Sequence, residues 1–271
     1  EKNLDFIRKQ GIIRKNIFGV DIQPIATEIS RLRCFLTLVV DQKVDSTKDN
    51  RGIVPLPNLD FKFVTANSLI SLPEKDKYGQ SDWLEDESGI EKLRELREEF
   101  FNADISVKDS LIAKFARIQR DIALRNSKDS VGDYTKYLTE WDPFSHNITP
   151  WFNSEWMFGI KNGFDIVIGN PPYVEHKKLK KIRTLLKGYE VYSGTADLYV
   201  YFVELGLRNL SNGGILSYIT SNKFLKTEYG ENLKNFLSKF NVSQLIQFDR
   251  VKIFDALVST AVFFVRQLLL T

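Results

Sequence analysis

An α/β fold with a mostly parallel sheet is predicted from three features of the 271-residue sequence. Short apolar runs of strand length alternate with helix-period runs near both ends of the chain, a pattern that covers a sheet on both faces. Three of these strand-like runs leave the apolar pattern on a polar residue, namely Asp21, Asn67 and Asn170. A charged, helix-rich stretch of different character separates the two alternating parts. The expected organisation is the N-terminal part of an α/β domain over 1–71, a helical and irregular insertion over 72–160, and the C-terminal part of the same domain over 161–271.

Taken in order, "NIFGVDI" (Asn16 to Ile22) reads as a short buried strand ending on Asp21. "PIATEISRLRCFLTLVV" follows as a helix. Pro24 suits a first helical turn, and Ile25, Ile29, Leu32, Leu36 and Val39 recur at three-to-four spacing. Residues 41–60 form a polar, proline-punctuated loop, after which "FKFVTANSL" is a second strand leaving into a polar tip. "GIEKLRELREEFFNA" and "SVKDSLIAKFARIQRDIALRN" are amphipathic helices with Leu93, Leu96 and Phe100, then Leu111, Phe115, Ile118 and Ile122, on their apolar sides. In the irregular aromatic stretch that follows, Trp141, Trp151 and Trp156 are expected as core anchors. "FDIVIG" then resumes the alternation as a buried strand, and a basic loop leads to the helix "TADLYVYFVELGLRNL". Asn212, Gly213 and Gly214 are expected to turn into the strand "GILSYIT"; helix "EYGENLKNFLSKF" and strands "VSQLIQFDR" and "STAVFFVRQ" complete the chain.

Bulk composition is that of an ordinary globular protein, with 43% hydrophobic and 27% charged residues. Lys+Arg 38 against Asp+Glu 35 leaves a net charge of +3, which permits nucleic-acid binding without requiring it. The single cysteine, Cys34, excludes an intrachain disulfide and, with only two histidines, argues against a metal site. A reducing, intracellular compartment is expected, with no membrane association.

The densest chemical signal is Asn170-Pro171-Pro172-Tyr173, directly after the apolar strand "FDIVIG". An amide oxygen and a neighbouring backbone carbonyl can accept both hydrogens of an exocyclic amino group. That makes the nitrogen more electron-rich as it attacks an electrophilic methyl, which is stabilisation by fixed dipoles. The prolines lock the backbone that presents these acceptors. Tyr173 offers a ring on which an extruded base can stack. At the same sheet edge, Asp21 suits ribose hydroxyls and Asn67 suits an adenine, although these residue types also cap helices and shape turns. The run "HKKLKKIRTLLKG" places Lys177, Lys178, Lys180 and Lys181 for DNA phosphates, or simply for a solvated helix face.

"FDIVIGNPPY" resembles the catalytic motif of S-adenosylmethionine-dependent amino-methyltransferases, in particular the adenine-specific DNA methyltransferases of bacterial restriction–modification systems. "IFGVDIQPIATEISRLRCFLTLV" is similar to their acidic ribose-binding strand and following helix, and "FKFVTANSL" to the strand whose tip contacts the cofactor adenine. "GTADLYVYFVELGLRNLSNGGILSYITSNKFL" resembles the segment after the catalytic loop. "VKIFDALVSTAVFFV" resembles the late motif that lends a second aromatic to the target-base pocket. The resemblance implies a Rossmann-like methyltransferase fold and S-adenosylmethionine as cofactor. It implies Asn170, Pro171, Pro172 and Tyr173 as catalytic, Asp21, Ile22, Asn67 and Ser68 as cofactor-binding, and Phe254 beside Tyr173 at the base. Double-stranded DNA is the implied partner, and the cytoplasm of a bacterium or archaeon the implied location.

The family's glycine-rich cofactor loop has no counterpart in "IRKQGIIRKN", so the fold is expected to be incomplete at its N-terminal strand. The cofactor loop, a target-recognition domain and, as in the fused enzymes of this type, a nuclease are expected elsewhere in a longer protein. The fragment alone is expected to be inactive. The NPPY tetrapeptide also resembles protein-glutamine methyltransferases, and similar loops occur in RNA methyltransferases. A non-catalytic scaffold with a retained fold is the reading from another class.

Overall fold

A computed structural model describes residues 4–71, 87–125, 138–248 and 259–268. The chain divides into two compact units, Glu1–Gly159 and Ile160–Thr271.

The first unit contains α1 (Leu4–Asn16), β1 (Gly19–Asp21), α2 (Pro24–Val39), β2 (Phe63–Thr65), α3 (Glu87–Phe101), α4 (Ile105–Arg125) and α5 (Ser154–Phe158). Strands β1 and β2 pair in parallel from Gly19↔Phe63 to Asp21↔Thr65. Bridges Ala66↔Thr149 and Ser71↔Phe152 carry the pairing past the end of β2. Helix α2 begins at Pro24, whose missing N–H is no loss in a first turn. It packs through Cys34, Phe35 and Leu38 against Phe6, Ile13, Leu59, Phe63 and Phe101, and buried Thr27 shares a hydrogen bond with the Thr65 hydroxyl at 2.9 Å. The stripe that sets its sequence period points the other way. Ile25, Ile29, Leu32, Leu36 and Val39 are all exposed.

Helices α3 and α4 form as their periodicity requires. Leu93, Leu96, Phe100, Leu111, Phe115 and Ile122 are buried between and around them. Phe61 is the hub of this core, with edge or tilted ring contacts to Phe100, Phe115, Trp141 and Phe144 at centroid distances of 5.3, 5.3, 6.2 and 5.4 Å. Trp141, Trp151 and Trp156 are each at most 1% exposed, the core anchors their composition suggests. Asn153 caps α5 by accepting the Trp156 N–H at 2.8 Å, and Gly159 closes the helix at φ +76°.

The second unit contains β3 (Phe164–Gly169), α6 (Leu198–Arg208), β4 (Leu210–Ser221), α7 (Gly230–Leu237), β5 (Asn241–Phe248) and β6 (Thr260–Arg266). Its sheet order is β3-β4-β6-β5. Only β3 and β4 are parallel in this unit; β6 runs antiparallel to both β4 and β5. The last strand therefore enters the sheet between two earlier ones and makes it mixed rather than mostly parallel.

Three further expectations are corrected. The glycine segment before "ILSYIT" is not a turn into a strand. Strand β4 already begins at Leu210, and pairing passes from Phe164↔Leu210 to Ile166↔Ile215, so residues 211–214 are a bulge, with Gly213 at φ +78°. Strand β1 is only partly buried, because it has one neighbour. Strand β3 is not buried either. It lies at the sheet edge, and Ile166 and Ile168 are 66% and 76% exposed.

Helix α6 lies close on β4. A Cβ on Gly206 would stand 2.6 Å from Leu216 Cδ1 and 2.7 Å from the Tyr218 hydroxyl, so only glycine permits this approach. Among the described residues no helix is long and apolar enough to cross a membrane.

Two predictions follow from the first unit's core. Trp141→Ala removes a fully buried indole and should lower stability by about 3–5 kcal/mol in chemical denaturation. Lys62 is buried with its ammonium against the Phe18 ring at 3.6 Å, and desolvation lowers its pKa from 10.5 to about 8. The folded state thus binds fewer protons than the unfolded chain between those two values, so stability should rise with pH across that window. Denaturation midpoints measured through the window should show this rise in the wild type and lose it in Lys62→Met.

Candidate functional site

At the carboxyl end of β3, Gly169 has the Tyr218 ring beside it, 3.0 Å from where a Cβ would sit, so the chain leaves the sheet without bulk at that step. Asn170 follows. Its side chain is exposed and makes no hydrogen bond to any described residue. Pro171 is buried, Pro172 is exposed, and both peptide bonds are trans. The Val174 N–H returns to the Pro172 carbonyl at 3.0 Å, closing a tight turn directly behind the prolines.

Tyr173 is half-buried rather than displayed. Burial raises its phenol pKa, against an opposing hydrogen bond with the Thr260 side chain of β6. The Tyr173 hydroxyl thus lies by the strand that enters the sheet last. Thr260 itself is 1% exposed, at the point where β6 pairs with both Ser221 and Phe248.

Beyond the turn, the chain is tied to α6. The Leu198 N–H bonds the Val174 carbonyl at 2.9 Å, and the His176 N–H bonds Asp197 Oδ1 at 3.1 Å. The lysines are all exposed, Lys177 and Lys178 on a short 3₁₀ turn (His176–Leu179) and Lys180 and Lys181 on the turn that follows it, while Leu179 and Leu186 of the same stretch are buried. At the far end of this excursion, buried Glu204 accepts the N–H groups of Glu190 and Val191 at 3.0 and 2.8 Å and pairs with Arg208.

In the first unit, the parallel pairing brings the carboxyl ends of β1 and β2 to one edge, with Asp21 opposite Thr65. Asp21 Oδ1 accepts the Gln23 N–H at 2.7 Å, the turn-shaping role that competes with ligand binding, while its Oδ2 has no partner among the described residues. Asn67 behaves similarly. Its Oδ1 accepts the Leu69 N–H at 3.3 Å and its N–H bonds the Thr149 carbonyl at 2.9 Å. Ile22 is exposed and Ser68 is partly so. The edge thus gathers Asp21, Ile22, Asn67 and Ser68. A carboxylate with one free oxygen suits a ribose hydroxyl. Phe254 lies outside the described residues. No cluster of three or more potential metal ligands occurs among the described residues.

The pattern of the Eco57I restriction-modification methylases matches residues 15–254, which include both edges just described. The chain belongs to that family. It is 35% identical over 95 residues to the type II methyltransferase M.BstVI of Geobacillus stearothermophilus, covering 34% of this chain and 17% of that protein. It is 25% identical over 301 aligned positions to a putative type II restriction enzyme and methyltransferase of Methanocaldococcus jannaschii, covering 88% of this chain and 24% of that protein. The chain thus spans about a sixth to a quarter of these relatives' length. The solved type IIL restriction-modification enzyme MmeI superposes with a TM-score of 0.37 at 10% identity, over 98% of this chain and 33% of that one.

Sequence reasoning missed Asp197, Glu204 and Tyr229, whose hydrogen bonds tie the loop after Tyr173 to α6 and its surroundings. An acidic residue just ahead of an apolar helix and another seven positions on was the available signal for the first two. Glu204→Ala should leave the Glu190 and buried Val191 N–H groups without their acceptor and lower stability by roughly 2–4 kcal/mol, measured by denaturation.

Proposed function

We propose that the full-length protein transfers a methyl group from S-adenosylmethionine to the exocyclic amino group of an adenine in double-stranded DNA. The observation that carries this reading is the exposed Asn170 amide with no described hydrogen-bond partner, held by two prolines at the end of β3 in a chain of this family. The adenine is extruded from the duplex. Asn170 Oδ1 and the Pro171 carbonyl accept its two amino hydrogens, and Tyr173 stacks on its face. The nitrogen lone pair is then directed outward, and one of its protons leaves to solvent after the carbon–nitrogen bond forms. S-adenosylmethionine would supply the electrophilic methyl, its sulfonium S–C bond giving way and the neutral thioether leaving. Asp21, Ile22, Asn67 and Ser68 hold that cofactor, Asp21 through its free oxygen toward a ribose hydroxyl.

Lys177, Lys178, Lys180 and Lys181 bind DNA phosphates. Their exposure on turns directly after the loop supports this role. The cofactor's glycine-rich loop is supplied on a strand from outside residues 1–271. The open edge of β3 supports this. Phe164 to Ile168 are almost continuously apolar, as in a strand covered on both faces, yet Ile166 and Ile168 are exposed. Target recognition, and a nuclease where one is fused, belong to other parts of the same protein.

Incubating the full-length protein with labelled cofactor and DNA, and then separating nucleic acid from protein, tests the reading. Label should appear on adenine in DNA; label on protein or RNA would overturn it. Asn170→Ala should cost roughly 10²–10³ in turnover while leaving cofactor affinity unchanged. The isolated 271-residue chain should show no S-adenosylmethionine binding by calorimetry, and micromolar affinity there would contradict the missing-strand proposal. Reversing the charge of Lys177 and Lys181 should weaken DNA binding across all sequences and flatten its salt dependence; an unchanged slope argues against phosphate contact.

A further inference from the structure

We infer that Asp197 is a positioning residue for the Asn170–Tyr173 loop, an inference that rests on the methyltransferase reading above. Aspartate at the residue before a helix ordinarily accepts hydrogen bonds from the helix's own first N–H groups. Asp197 stands at that position ahead of α6 and makes no such bond. Its carboxylate is turned instead to the preceding loop, where Oδ1 takes the His176 N–H at 3.1 Å. The other oxygen, Oδ2, faces the Tyr229 hydroxyl at 3.4 Å, and that hydroxyl lies 3.2 Å from the Tyr199 hydroxyl. Asp197 is only 8% exposed, so this carboxylate is committed to the interior rather than to water.

The next helical residue adds a backbone tie, Leu198 N–H to the Val174 carbonyl at 2.9 Å. The chain is therefore held at Val174 and His176, immediately after Tyr173. On the other side of the motif, β3 is held by its ladder with β4 up to Gly169↔Tyr218. The four residues of the motif are suspended between these two fixed points. Glu204, seven positions further along α6 and so on the same face, performs the matching task for Glu190 and Val191. The Tyr201 hydroxyl adds a bond to the Ser193 carbonyl at 3.0 Å. One helix thus clamps both ends of the 28-residue excursion between β3 and α6.

The Asp197 contact differs from the Glu204 contact in what its loss does. Releasing Glu204 loosens a segment remote from Tyr173. Releasing Asp197 frees the backbone three residues from the stacking ring, and displacement of a reacting group by about 1 Å costs on the order of 100-fold in rate.

The full-length protein carrying Asp197→Ala or Asp197→Asn tests this by steady-state methylation kinetics and by hydrogen exchange of the His176 amide. Asp197→Ala should lower kcat by roughly 10- to 100-fold with the KM for cofactor changed less than about twofold, and should speed exchange at His176. Asp197→Asn should restore most of kcat and of the protection, because its amide oxygen can accept the same N–H. A His176 amide that exchanges freely in the wild type overturns the inference whatever the activity. So does an Asp197→Ala protein with wild-type kcat, or one that loses cofactor affinity in parallel with kcat. Tyr229→Phe, which removes a partner of Oδ2 alone, gives the same readouts at smaller amplitude if Asp197→Ala does not fold. Failure of the wild type to methylate DNA would remove the functional reading and leave the exchange experiment to decide the clamp by itself.

Discussion

Asn170 sits where an extended strand meets two prolines, and its value as a hydrogen-bond acceptor depends on the backbone there having almost no freedom. Orientation is the commodity in transfer chemistry at an amino nitrogen, since acceptors that wander lose the advantage of fixed dipoles. The surroundings serve the same end. The strand ladder holds the approach to the motif, and the Pro172–Val174 turn tightens its exit. Much of the apparatus is thus ordinary backbone hydrogen bonding, placed at the few residues where motion would matter most.

The exposed apolar surfaces have a common physical meaning. The outward stripe of α2 and Ile166 and Ile168 of β3 are large apolar side chains that neither element buries. Natural edge strands usually carry charge, proline or a bulge to prevent further pairing. Strand β3 has its bulge on the partner strand instead and keeps its outer edge free of such devices, apart from Asp165, which is engaged by the Ser211 hydroxyl at 3.0 Å. A surface of this kind is built to be covered.

Legibility in the sequence followed the range of the interactions. Helices α3 and α4 and strand β3 were readable because periodicity and composition are local properties, and their observed spans differ from the expected ones by a few residues at most. The Asn170–Tyr173 motif was readable for the same reason: its four residues are adjacent in the sequence. What could not be read was sidedness. The period of Ile25, Ile29, Leu32, Leu36 and Val39 identifies a helix correctly, but the face that packs within the unit is set by Phe6, Leu59 and Phe63, distant in sequence. The bulge at 211–214 was hidden because Asn-Gly-Gly is a turn sequence unless a neighbouring strand claims it. Asp197 and Glu204 were overlooked because a buried acid on a helix announces itself only through the distant N–H groups it satisfies.

The placement of β6 has a consequence for how the protein is made. Because this strand hydrogen-bonds to both β4 and β5, neither of those can complete its pairing until residues near 260–266 are available. Thr260, which lies by the Tyr173 hydroxyl, arrives at the same late moment. During synthesis from the N-terminus, the Asn170 loop leaves the ribosome about ninety residues before the strand that steadies it, at a rate of roughly 5–20 residues per second. For several seconds the nascent chain carries the motif before the strand that completes the sheet beside it, so the surroundings of Tyr173 mature with the sheet rather than with synthesis of the motif.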